Sequence, residues 1–106
     1  MIGVDLVHIP QFKKTISEAG VKERLFTKEE AAHDVQTLAG FFAAKEAFVK
    51  ATQCEPEWKS IVVQHAKNGK PVISHPEYSK EQTSVSISHD GDYAISVVAI
   101  QNGDHK

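Results

Sequence analysis

Of the 106 residues, one is cysteine, Cys54. No disulfide framework can form within the chain, and a thiolate zinc site has no second ligand, which fits a reducing compartment. Long apolar runs are missing as well. No stretch approaches the roughly twenty residues of a membrane-spanning helix. The start, Met1-Ile2-Gly3-Val4-Asp5-Leu6, has no basic leader and breaks its apolar run at Asp5, so it does not read as a signal peptide. The expected setting is soluble and cytoplasmic, with no membrane. An excess of one charge is also lacking: the formal net charge is −2, and composition gives no bulk attraction to nucleic acid. The six histidines show neither HxxH nor HExxH spacing. No serine sits in a GxSxG elbow, and neither a P-loop nor GxGxxG occurs. Zinc-hydrolase, serine-hydrolase and nucleotide-loop readings therefore lose their usual basis.

What is present is an ordinary globular composition, 41% apolar and 25% charged. The length predicts a single domain over residues 1–106, with a core margin modest enough that an oligomer would help. Ile2 to Ile9 is rich in branched residues and reads as a strand with Asp5 inside it. Pro10 fits a helix first turn; Phe12, Ile16 and Ala19 supply its apolar stripe and Gly20 its stop. Thr27 and Glu30 form a capping box that starts a short helix from Lys28 to about Asp34. A longer helix runs from about Gln36 to Thr52, with Phe41, Ala44, Phe48 and Ala51 as a buried stripe. Pro56 ends the helical region. Two hairpins follow: Ser60–His65 with Pro71–Ser74 across Asn68-Gly69, and Ser84–His89 with Tyr93–Ile100 across Asp90-Gly91. The last six residues are expected to fray. This order predicts an α+β fold: an N-terminal strand, two or three helices, then antiparallel strands in two hairpins, the sheet covered by the helices.

Candidate chemistry is sparse, and each residue has a plain alternative. Asp5 in an apolar strand is either outward-facing or paired or metal-bound, since a bare buried carboxylate is costly. Glu46 and Lys50 stand one helical turn apart. They form either a surface ion pair or a set in which Glu46 ligates a hard cation and Lys50 neutralises phosphate. His89 is either a hairpin-end residue or a phosphate or nucleotide contact. Lys13, Lys14, Lys22, Arg24 and Lys28 make residues 1–28 locally basic, five basic against three acidic side chains. They form a solvated face or a docking patch for an acidic partner.

Three segments, taken together, carry more. Ile2-Gly3-Val4-Asp5-Leu6-Val7, Phe42-Ala43-Ala44-Lys45-Glu46-Ala47-Phe48-Val49-Lys50-Ala51 and Val85-Ser86-Ile87-Ser88-His89 resemble, in order, the holo-acyl-carrier-protein synthases, the small type of 4′-phosphopantetheinyl transferase. Asn68-Gly69-Lys70-Pro71 is similar to the family's turn between strands. The resemblance implies a 4′-phosphopantetheinyl transferase-like fold and transfer of 4′-phosphopantetheine from coenzyme A to a serine of an apo acyl carrier protein, releasing adenosine 3′,5′-bisphosphate. It implies Mg²⁺ held by Asp5 and Glu46, and Lys50 near the pyrophosphate. Lys45 and His89 would contact coenzyme A, and Lys13 and Lys14 would help dock the carrier protein. It also implies a homotrimer with sites between subunits. The chain departs from the pattern at Phe41, where the family usually has an arginine, and over Thr52–Glu57, where the family is glycine-rich and this chain carries Glu55 and Glu57. Those departures motivate an alternative: a non-catalytic homologue that binds a carrier protein, coenzyme A or a partner subunit.

Overall fold

Alternation builds the first element. In β1 (Ile2–His8) Gly3 and Val7 are buried and Asp5 is half-buried on one face, while Ile2, Val4, Leu6 and His8 are exposed on the other. The computed structural model describes residues 1–101, so the fraying expected of the last six residues lies, apart from Gln101, outside the described residues. The same alternation governs β5 (Tyr93–Ile100), whose Ala94, Ser96, Val98 and Ile100 point inward. β4 (Thr83–Asp90) joins β5 through a turn in which Gly91 takes the left-handed φ of 58°. The three strands form an antiparallel sheet in the order β1-β5-β4. Its register sets inward-facing rows: Asp5, Ser96 and Ile87 in one, Val7, Ala94 and His89 in the next.

The second hairpin, β2 (Val62–His65) and β3 (Pro71–Ser74), forms a separate two-stranded sheet rather than an extension of the first. Its first strand starts two residues later than expected because Trp58–Ser60 makes a 3₁₀ turn. Gly69, at φ 86°, closes the hairpin where the Asn68-Gly69 pair predicted a turn.

The helices also differ in detail from the expected pattern. The first apolar stripe is shorter than predicted. α1 (Ile9–Ile16) stops when the Ser17 hydroxyl donates to Lys14 O, and Ala19 is exposed. Gly20 is less a stop than a hinge; its φ of 82° opens an unexpected helix, α2 (Val21–Leu25). α3 (Lys28–Ala31) begins with the predicted capping box: Glu30 N donates to Thr27 Oγ1, and Thr27 N donates to Glu30 Oε1. α4 (Val35–Thr52) is a new helix, capped by Asp34 accepting from Thr37 N.

α4 is the central element. The expected stripe of Phe41, Ala44, Phe48 and Ala51 is buried, and so are Leu38, Ala39, Gly40, Ala43, Lys45 and Ala47. A helix buried on so many sides needs small residues where the sheet comes close. Two glycines settle how close. A β-carbon on Gly40 would sit 2.8 Å from Ile87 Cγ2 and 3.0 Å from His89 Nε2. One on Gly3 would lie 2.1 Å from Ala47 O and 2.8 Å from Ala51 N. The latter atoms are backbone and cannot swing aside. Gly3→Ala is therefore expected to push β1 off α4 and cost about 3 kcal/mol or more. Urea denaturation of the two proteins measures that, and equal midpoints would mean that the contact is not rigid.

Candidate active site

Gly3 matters for chemistry because Asp5 lies two residues on, on the same face of β1. Lys50 Nζ donates to Asp5 Oδ1 at 3.0 Å and to Val4 O at 3.1 Å. The first pair ties β1 to α4 across 45 residues of sequence. Glu46 lies one turn before Lys50 on α4 and is half-buried. Burial pushes its carboxyl above the usual range, the nearby Asp5 carboxylate pushes it further, and Lys50 opposes both. The two carboxylates named from sequence thus share one electrostatic site with one ammonium.

Such a site suits a hard cation. Two partly desolvated carboxylates repel each other, and an ammonium already stands on Asp5 Oδ1 as the protein's own counter-charge. Among the described residues no group of three or more His, Cys, Asp and Glu side chains is placed to hold a metal. A set of two carboxylates, with water and phosphate completing the shell, is instead the pattern Mg²⁺ takes. Ser96, paired with Asp5 in the β1–β5 register, adds a buried hydroxyl whose Oγ has no hydrogen-bond partner among the described residues.

Lys45 is a correction. The resemblance put it on coenzyme A, but its ammonium lies inside the protein. Nζ donates to Glu30 Oε1 at 2.8 Å, Leu25 O at 3.0 Å and Trp58 O at 2.7 Å, which uses all three of its protons. Burial pulls its pKa down and Glu30 opposes the shift. Lys45 and Glu46 are neighbours in sequence, but a helix turns adjacent residues by about 100°. One side chain goes inward to α2, α3 and the 3₁₀ turn, the other to the edge beside β1. Glu30 completes the buried cluster by accepting from Val63 N at 2.7 Å, so the capping residue of α3 also anchors β2.

His89 lies at the other end of α4. Its Nε2 donates to Gln36 O at 3.0 Å, the carbonyl being able only to accept. It lines a recess of about 170 Å³ with Thr37, Phe41, His65, Gly69, Pro71 and Ile87. Phe41 is buried, its ring edge-on to His33 at 5.2 Å and tilted to His65 at 5.5 Å. Where the family pattern has an arginine, this chain packs an aromatic among histidines. After α4 the glycine-free segment still makes a left-handed cap: Gln53 takes φ 57° and its N–H donates to Val49 O. Lys13 and Lys14 are both exposed on α1.

The outer face of the larger sheet carries an apolar surface. Ile2, Val4, Leu6, Tyr93, Ile95 and Val97 are all exposed there, Leu6 at 59%. The register sets Val4 beside Val97 and Leu6 beside Ile95, so the patch is continuous. Sequence reasoning passed over this patch, and also Gly3 and Ser96. The signal for Ser96 was available: it is the polar member of the otherwise apolar inward set Ala94, Val98 and Ile100.

Comparison with known proteins places this arrangement. The family model for the 4′-phosphopantetheinyl transferase superfamily (ACPS) matches residues 1–98. The chain is 38% identical over 112 residues to a holo-[acyl-carrier-protein] synthase of Sulfurovum sp. (strain NBC37-1), covering 93% of this chain and 94% of that one. Its fold is similar to that of Helicobacter pylori holo-[acyl-carrier-protein] synthase solved in complex with coenzyme A, with a TM-score of 0.81 at 31% identity over 95% of this chain and all of that one. The Neisseria meningitidis enzyme gives a TM-score of 0.82 at 26% identity, covering 95% and 97% of the two chains. The chain belongs to the 4′-phosphopantetheinyl transferase superfamily. Within it, the chain is a phosphopantetheinyl transferase of the holo-acyl-carrier-protein synthase type.

Proposed function

We propose that residues 1–106 act as one domain that transfers 4′-phosphopantetheine from coenzyme A to a serine of an apo acyl carrier protein in the cytoplasm, with Mg²⁺, releasing adenosine 3′,5′-bisphosphate. The observation that carries this is the meeting of Asp5 from β1 and Glu46 from α4 with Lys50 beside them, in a chain of this family.

Asp5 and Glu46 are the residues that would hold Mg²⁺. When bound, the metal supplies charge neutralisation on pyrophosphate oxygens. Lys50 releases Asp5 Oδ1 and turns its ammonium to the phosphates; at 54% exposure its side chain is free to do so. Phosphoryl-group transfer depends chiefly on positioning and on neutralising such charge. The nucleophile belongs to the carrier protein, which accounts for a site without a serine nucleophile of its own. Glu46, or a water held near the metal, would accept that serine's proton. His89 and its recess at the far end of α4 suit the nucleotide end of coenzyme A. Lys13 and Lys14 suit the acidic surface of a carrier protein. The apolar outer face of the β1-β5-β4 sheet suits a homotrimer with sites between subunits.

The direct test is to incubate the protein with coenzyme A, Mg²⁺ and several apo carrier proteins and weigh the carriers by mass spectrometry. A carrier is expected to gain one phosphopantetheinyl group, dependent on Mg²⁺. Binding of coenzyme A and carrier with no mass gain on any carrier would support the non-catalytic alternative instead. Light scattering is expected to give the mass of three chains, and a monomer would leave the apolar sheet face unexplained.

A further inference from the structure

Among the described residues, Ser96 Oγ is a buried side-chain oxygen without a hydrogen-bond partner. The residue is 1% exposed, so bulk solvent does not reach it. An unmet hydroxyl in an interior is costly, and alanine, the choice at Ala94 in the same inward set, would avoid that cost. Position explains why a hydroxyl would be kept there. Ser96 is the register partner of Asp5, and both face α4. Side chains paired across antiparallel strands have β-carbons about 5 Å apart, within reach of a hydroxyl–carboxylate bond after a rotamer change. Asp5 Oδ1 is taken by Lys50, while among the described residues no hydrogen bond is made to its Oδ2. The other neighbour of Ser96 in its row is the apolar Ile87, so Asp5 is the polar group that the register offers it.

We propose that Ser96 is a positioning residue of the cation site: its hydroxyl donates to the Asp5 carboxylate and fixes that carboxylate's orientation when a divalent cation replaces the Lys50 ammonium. This rests on the reading of Asp5 and Glu46 as cation ligands. A carboxylate bound to a cation through one oxygen is held in place by a donor on the other, and loss of such an outer partner typically weakens metal affinity by about 10–100-fold. In the cation-free protein the hydroxyl bonds to none of the described residues, so its removal has no such stabilising contact to destroy.

The experiment titrates Mn²⁺, as a paramagnetic stand-in for Mg²⁺, into the full chain with and without coenzyme A, followed by electron paramagnetic resonance. Ser96→Ala and the near-isosteric Ser96→Cys are compared with the parent protein and with Asp5→Asn. Both Ser96 variants are expected to bind Mn²⁺ about tenfold more weakly, with metal-free melting temperatures no lower than the parent's. Should one variant fold poorly, the other supplies the reading. Unchanged Mn²⁺ affinity in the Ser96 variants, with affinity lost in Asp5→Asn, would overturn the role of Ser96 alone. Affinity unchanged in Asp5→Asn as well would overturn the cation site itself. A fall in the metal-free melting temperature with no change in Mn²⁺ affinity would make Ser96 a packing residue.

Discussion

Glu46→Gln is expected to lower the transfer rate by at least about 10²-fold, the scale on which removal of one preorganised electrostatic group acts, while making the metal-free protein more stable at neutral pH. The two effects have one cause. Burial and the Asp5 carboxylate raise the Glu46 pKa above its ordinary value of 4.5. A carboxyl raised on folding favours the folded state when protonated. Its contribution is fully present below the unfolded value and is lost as pH rises through the folded value. At neutral pH the wild-type chain therefore carries a charge beside Asp5, only partly offset by Lys50, that glutamine lacks. The variant's melting temperature is expected to exceed the parent's at pH 7. The difference should close as pH falls below 4.5. Thermal melts at pH 7 and pH 4, alongside the carrier-protein mass assay, measure both effects. A variant that transfers normally would remove Glu46 from the site, and one destabilised at pH 7 would mean that its ionised carboxylate is well paired.

Lys45→Met, one residue away, should behave in the opposite manner. The lysine is 0% exposed, and removing its ammonium strands Glu30 in the interior with two backbone carbonyls, Leu25 O and Trp58 O. Breaking one side of a buried pair costs about 3–5 kcal/mol, a large part of the stability of a domain this size. Urea denaturation is expected to show that loss, whereas KM for coenzyme A, measured under folded conditions, should hold. If Lys45 instead held the cofactor, KM would rise and stability would not move. A swap of consecutive lysine and glutamate roles of this kind is what a central helix produces: each step around it faces a different partner.

Those two neighbours show how much of the site was legible. Glu46 and Lys50 could be placed on one helical face from their spacing of four, and Asp5 stood out as a charge inside an apolar strand. Their function came from three motifs in order, since spacing alone left Glu46 and Lys50 as an ordinary surface pair. The direction in which Lys45 points depends on what packs against each side of α4. The chain segments that receive it, Leu25, Glu30 and Trp58, lie 13 to 20 residues away. No local pattern connects them. Likewise the stripe Phe12, Ile16 and Ala19 was a sound helical period that tertiary structure cut short, because none of the described residues covers Ala19 and Gly20 turns the chain into α2.

The sequence by itself determined the local grammar of this protein. It set the caps at Thr27 and in the Asn68-Gly69 and Asp90-Gly91 turns, the alternation of β1, β4 and β5, and the apolar face of α4. These follow from backbone preference and periodicity, which act over a few residues. Tertiary structure decided that β1 would pair with β5 at the edge of one sheet while β2 and β3 formed another. It also decided that Gly3 would let α4 settle onto β1 and bring Asp5, Lys50 and Glu46 into one site, and that Ser96 would be enclosed beside them. The contacts of β1 with α4 and with β5 join segments roughly 45 to 90 residues apart, and such contacts are fixed by how surfaces pack, which no stretch of chain carries alone.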